Sequence, residues 1–191
     1  VVQKRYGFKL GLGEPADEFQ QFSIDEMQYV ASVIEDLPTG FWNVRGLDKI
    51  VRRKLGLTNP YQPQACAIAQ ISVRYMEFMD CAFSAGNAEY TQRLIAHEFT
   101  HFLWHNILTE ETKKKFAALS GWSPIGNNSW THQTTTNFVS GYAATFNPDE
   151  DFAETVSYYI YNPDLVRTVA PDKYNFVKDT VNGYEYVVLV D

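Results

Sequence analysis

Helical spacing and turn chemistry alternate along the chain, and most elements can be read from that alternation. Met27, Val30, Ile34 and Leu37 recur at helical spacing, and Ser23 stands three residues ahead of Glu26, the pattern of a capping box. Pro38-Thr39-Gly40 ends this helix. Ahead of it, residues 1–22 are broken by Gly7, Gly11, Gly13 and Pro15 and read as a loose or strand-like arm. Behind it, Leu47 to Leu55 reads as a second, shorter helix stopped at Gly56. Asn59 to Pro63 is a turn-rich loop, and the β-branched stretch Ile68 to Tyr75 reads as a strand.

In the second half, Asn87 can cap a helix over residues 88–106. Leu94, Ile95, Phe99, Phe102 and Leu103 make it apolar over much of its surface, so a buried helix is expected. Thr109 caps another, Glu110 to Leu119, ended by Gly121. Ser120 to Asn147 is polar and punctuated by Trp122, Trp130, His132, Phe138 and Tyr142, a candidate substrate-facing loop. Order resumes at Asn147, an N-cap with Pro148 in the first helical position and Glu150 completing a box. That helix runs to Tyr161. Two short helices follow, near 164–169 and 171–181, and the tail 184–190 reads as a terminal strand or docked arm.

The chain of 191 residues, 45% hydrophobic and 15% aromatic, has ample material for one domain with a sizeable core. Residues 1–86 supply N-terminal helices and sheet, and residues 87–191 carry the chemistry. Net charge is −7, and the only basic clusters, Arg52-Arg53-Lys54 and Lys113-Lys114-Lys115, read as solvated helix faces, so nucleic acid is not an expected partner. No apolar run approaches 18 residues, so no membrane span is expected. The first residues, V-V-Q-K-R-Y, show no leader, though a removed one would look the same. Cys66 and Cys81 fit either one disulfide in an exported protein or two buried thiols, and the expectation leans to a secreted or periplasmic protein.

The chemistry concentrates in Ile95 to Trp104, which holds His97, Glu98 and His101 as H-E-x-x-H. Residues i and i+4 of a helix share a face, so the two imidazoles can hold one Zn²⁺ and leave room for a third ligand and a water. Glu98 is rotated off the ligand axis, where a general base can reach that water. His105 is about 12 Å along the axis from His97, too far to share the metal. The third ligand must come from His132, Glu150, Asp151 or Glu154. Glu154 sits mid-helix inside F-A-E-T-V, where a carboxylate is costly to bury unless paired, and is the expected ligand. Glu150 and Asp151 lie in a first turn that favours acids anyway, and Glu150 can instead orient a histidine. His132 is the candidate fourth ligand of a closed, structural site.

H-E-F-T-H on one helix and N-P-D-E-D-F-A-E-T on a later one resemble the gluzincin class of zinc metallopeptidases. Within it, the likeness is to compact bacterial domains related to the anthrax lethal factor catalytic domain and the Pro-Pro endopeptidases. The resemblance covers about residues 88–161 and implies one Zn²⁺ per chain, held by His97, His101 and Glu154, with Glu98 as base. It also implies a tyrosine stabilising the oxyanion: Tyr142 is the best match and Tyr158 the runner-up. The implied fold is α+β and zincin-like, mainly helical, with a small mixed β-sheet packed beside the H-E-x-x-H helix. Two features depart from the pattern. His101 and Glu154 are 53 residues apart, against about two dozen in the thermolysin type, and Thr100 stands where Gly or Ala is usual. The expected function is a zinc-dependent endopeptidase, monomeric, acting on a peptide or protein substrate that pairs with an exposed sheet edge. The rival readings are a non-catalytic zinc-binding module with a protein partner and a hydrolase of non-peptide amides.

Overall fold

The structure, a computed structural model, describes residues 2–42, 44–84 and 86–181; the expected tail strand lies outside them. In chain order the elements are α1 (Val2–Tyr6), β1 (Lys9–Gly11), β2 (Phe19–Gln20), α2 (Ile24–Asp36), β3 (Lys49–Arg53), β4 (Ala67–Gln70), β5 (Tyr75–Phe78), α3 (Cys81–Ser84), α4 (Ala88–Asn106), α5 (Glu110–Leu119), β6 (Ser123–Gly126), β7 (Ser129–Thr131), α6 (Pro148–Tyr161), α7 (Pro163–Val169) and α8 (Pro171–Val181). The fold is mixed α+β, mainly helical with a small mixed sheet.

The sheet runs β1-β3-β5-β4, with β2 also on β3. β1 and β5 lie parallel to β3, whereas β2 and β4 run antiparallel to their neighbours. The helix expected over Leu47 to Leu55 is therefore the central strand. β-branched Ile50 and Val51 suit a strand covered on both faces, and both are fully buried. Nor are Arg52 and Arg53 a solvated helix face: they are 3% and 5% exposed. Arg52 pairs with Glu26 at 2.9 Å and Asp80 at 2.7 Å; Arg53 pairs with Glu18 at 2.7 Å and with buried Glu77. Glu77 also accepts from Asn59 Nδ2 at 3.1 Å. Asn59 Oδ1 in turn takes the N–H groups of Tyr61 and Gln62, fixing the loop that leads to β4.

The strand expected over Ile68 to Tyr75 is a hairpin. A 3-10 turn at Ile71–Val73 and Arg74, at φ 61°, separate β4 from β5. Cys66 and Cys81 are disulfide-bonded across the open end of this hairpin. The supposed loop at Ser120 to Asn147 contains the β6–β7 hairpin, turned by Asn127 and Asn128, both at positive φ.

α2 begins with the expected capping box, Ser23 and Glu26 each bonding the other's backbone N–H. α4 carries ten consecutive buried residues, Ile95 to Trp104. Its apolar side chains join Val33, Ile34, Phe41, Ile50, Met76 and Phe78 in the main core. α6 packs along α4. At the end of α5, Gly121 at φ 66° closes a Schellman turn: Trp122 N–H bonds Ala117 O at 3.0 Å and Gly121 N–H bonds Ala118 O at 3.1 Å. No helix among the described residues is long and apolar enough to cross a membrane.

Candidate metal centre

Two capped helices present the site. Asn87 caps α4 through Tyr90 N–H, and about three and four turns on, His97 and His101 face α6 with ring centroids 4.8 Å apart. Asn147 Oδ1 accepts from Asp149 and Glu150 N–H at 2.9 and 3.0 Å, fixing the first turn of α6. Glu150 does not complete that box. Its carboxylate turns to the histidines, a stronger pull than a neutral amide.

Three atoms converge. Glu150 Oε2 lies 3.1 Å from His97 Nε2 and 3.6 Å from His101 Nε2, and the two Nε2 atoms are 3.1 Å apart. Atoms held tetrahedrally by Zn²⁺ at about 2.0–2.1 Å are spaced roughly 3.3–3.4 Å apart. The triangle matches that spacing. His97, His101 and Glu150 are a candidate metal-ligand cluster.

Glu154, the ligand expected from the sequence, lies on the other nitrogen of His97: Oε1 is 3.1 Å from Nδ1, and Oε2 accepts from Ser140 Oγ at 2.6 Å. Asp149, which the sequence did not single out, does the same for His101. Its Oδ1 is 2.8 Å from His101 Nδ1, and its Oδ2 is 2.7 Å from Nε2 of exposed His105. Each cluster histidine thus has one nitrogen in the cluster and a carboxylate on the other, the usual support of a metal-bound imidazole.

Electrostatics follow from this geometry. Burial works against charge on His97, but its hydrogen bonds to the Glu150 and Glu154 carboxylates outweigh it and hold its pKa at about 9. His101 is likewise buried yet raised well above the ordinary value by Asp149 and Glu150. Glu150, Asp149 and Glu154 are held below the usual carboxylate range; burial opposes this and the histidines prevail. Glu98 moves the other way. It is buried, which raises its pKa despite the two histidines.

Tyr142 is half-exposed, its ring 5.9 Å from that of His97. Burial and the surrounding carboxylates raise its pKa, so the hydroxyl stays a donor. Tyr158 lies farther round the cleft, beneath the Arg93 guanidinium at 4.3 Å. His132 does not join the cluster. Its nitrogens sit 2.5 Å from Thr134 O and 3.0 Å from Ala144 O, and its ring packs on Trp122 and Phe138. Asp151 is fully buried against Lys173, Trp122 and Ser120. The cleft measures about 600 Å³; α4, α6, Tyr142 and the strand Ala67–Ala69 line it.

No curated protein matches the chain. Among solved structures it is similar to a crystal structure from Bacteroides caccae titled "putative zinc-binding metallo-peptidase". The identity is 13% and the TM-score 0.46, over 93% of this chain and 82% of that one. A family model matches residues 64–177, a span that holds every residue of the cluster and its supports. The chain belongs to that family, described as "Putative zinc-binding metallo-peptidase".

Proposed function

We propose that the chain is a zinc-dependent endopeptidase of zincin-like fold, a single domain acting as a monomer. The observation that carries this reading is the His97–His101–Glu150 triangle, of zinc-binding size, at the floor of a cleft that also holds buried Glu98. In this reading His97 Nε2, His101 Nε2 and Glu150 hold the metal, while Glu154 and Asp149 keep the imidazoles oriented and basic. A bound Zn²⁺ lowers the pKa of its water and polarises the scissile carbonyl. Glu98, buried in the floor of the cleft, accepts the proton of the attacking water and passes it to the leaving amine. Tyr142 donates its hydroxyl to the developing oxyanion. β4 ends the sheet path, with one edge on β5 and its residues along the cleft, which favours an extended peptide over a small amide. The Cys66–Cys81 bond supports a secreted or periplasmic setting.

The test is zinc content by elemental analysis of wild type, Glu150→Ala and Glu154→Ala after mild chelation, with peptide cleavage by wild type and Glu98→Gln. The expected wild type holds about one zinc. Glu150→Ala loses it, Glu154→Ala binds it roughly 10–100-fold more weakly, and Glu98→Gln keeps zinc but cleaves nothing. Firm retention by Glu150→Ala with loss in Glu154→Ala would make Glu154 the ligand. A wild type that takes up no zinc would end the peptidase reading.

A further inference from the structure

Among the described residues, four carboxylates line the cleft, those of Glu98, Asp149, Glu150 and Glu154, and Arg93 is the only lysine or arginine lining it. Arg93 stands one helical turn before His97 on the same face of α4. Its guanidinium lies over the Tyr158 ring at 4.3 Å, which restrains it. Its Nε is buried and has no hydrogen-bond partner. The acids nearby do not meet that need. Glu89 is 3.6 Å away and 54% exposed. Glu154 has one oxygen on His97 Nδ1 and the other on Ser140 Oγ. A residue that served only to clamp α4 to α6 would be expected to have its buried donor satisfied, since leaving one unmade is costly.

We infer that Arg93 is a specificity-determining residue that receives a carboxylate of the bound peptide at this end of the cleft, an inference that rests on the peptidase reading above. A guanidinium is a planar fork of donors that matches a carboxylate, and contact with an aromatic ring limits the conformations it must give up on binding one. Four residues of helix are about 6 Å of axis, and an extended peptide advances roughly 3.3 Å per residue. The recognised carboxylate therefore lies within about two residues of the scissile bond. It has two sources, an aspartate or glutamate side chain or the free C-terminus of a short peptide, and both offer the same chemistry.

The experiment uses the full chain loaded with zinc and a set of fluorescent nonapeptides that differ at one position from Glu to Gln, each made as a C-terminal acid and amide. Cleavage is measured with wild type and Arg93→Met, and binding by fluorescence polarisation with Glu98→Gln and the Glu98→Gln/Arg93→Met double variant. Charge-assisted hydrogen bonding leads to a wild-type preference of about 10–100-fold for the carboxylate peptide, falling to about one in Arg93→Met. If the preference follows the Glu/Gln exchange the side chain is the source, and if it follows acid against amide the terminus is. Arg93→Glu is expected to turn the preference toward Lys, a readout that loss of packing would not give. Equal handling of all peptides by wild type, or a preference that survives Arg93→Met, would overturn the inference. Carboxylate-dependent binding through Arg93 with no cleavage by wild type would uphold it while the peptidase reading fails.

Discussion

Replacing Asp151 by Asn tests the packing that holds the centre in place. Asp151 lies between Glu150 and Glu154 on α6 but points away from the cleft. Its carboxylate accepts from Lys173 Nζ at 2.6 and 2.7 Å, from Trp122 Nε1 at 2.9 Å and from Ser120 Oγ at 3.3 Å. Both Asp151 and Lys173 are fully buried. The Asn variant keeps the shape and strands the ammonium. Breaking such a pair from one side costs about 3–5 kcal/mol. Lys173 can instead release its proton, and from an ordinary pKa of about 10.4 that costs roughly 4.6 kcal/mol at pH 7. Both routes give a similar loss, a third or more of a typical domain's stability. A drop in Tm of about 8–16 °C follows at this chain length.

The pH dependence separates this account from simple misfit. Burial lowers the Lys173 pKa and Asp151 opposes that shift, so the Asn variant lets it fall further. Between the folded and unfolded pKa values the unfolded chain binds the extra proton, so stability rises with pH. The deficit of Asp151→Asn against wild type should therefore shrink by up to about 1.4 kcal/mol per pH unit from neutral pH upward, until the wild type's own lowered Lys173 pKa is passed. The assay is urea unfolding followed by tryptophan fluorescence at pH 7, 8, 9 and 10, with zinc saturating and the disulfide intact. A deficit below about 1 kcal/mol, or one that is the same at every pH, would show that the ammonium reaches water and refute the buried-pair account.

Three further outcomes are expected. Tyr142→Phe should keep its zinc and lose about 10²–10³-fold in kcat, the usual cost of one oxyanion donor; an unchanged kcat would remove Tyr142 from that role. Cys66→Ser/Cys81→Ser opens a crosslink across 15 residues and should lose about 3 kcal/mol in urea unfolding. A loss near zero would mean that the β4–β5 hairpin holds the loop closed unaided. Asp80 is held below the usual carboxylate range by Gly56 N–H and Arg52 against the opposing effect of burial. Its contribution is present above its unfolded pKa of about 3.9 and is lost as pH falls through the folded value. The stability gap between wild type and Asp80→Asn should thus close on acidification below about pH 4, and a gap that widens there would contradict it.

What could be read ahead of the structure was whatever is local. Ser23, Asn87, Thr109 and Asn147 announce four helices because an N-cap bonds amides only two or three residues away. β3 was missed because K-I-V-R-R-K-L suits a period of two as well as a helix, and because what buries its arginines, Glu26 and Glu77, is remote in sequence. The break between β4 and β5 falls on Arg74 in a left-handed conformation, for which an arginine gives no warning. The β6–β7 turn was readable in principle, since Gly126-Asn127-Asn128 is a recognised hairpin signal. In the centre, the placing of His97 and His101 together on one face of α4 is legible from spacing alone. Glu150 and Glu154 share a face of α6, one turn apart, so which of them meets Nε2 depends on how far α6 slides along α4. No spacing within a single helix records that slide. Asp149 shows the same limit, because its partners lie 44 and 48 residues away.

The charges on α6 support a cation independently of the H-E-x-x-H pattern. Four acids, Asp149, Glu150, Asp151 and Glu154, stand within its first two turns, where the helix dipole favours them but only by about a kcal/mol each. Successive residues of a helix step round by about 100°, so the four diverge. Asp151 turns inward to Lys173, a full charge held at hydrogen-bond distance. Asp149, Glu150 and Glu154 turn to α4, and their ion-pair partners among the described residues are histidines alone. One buried acid thus has its own lysine, while three largely buried acids share imidazoles, whose charge depends on protonation. A divalent ion in the triangle would supply the same countercharge with the imidazoles neutral, whereas a core built only for stability would be expected to place a permanent cation such as lysine on that side of the helix too.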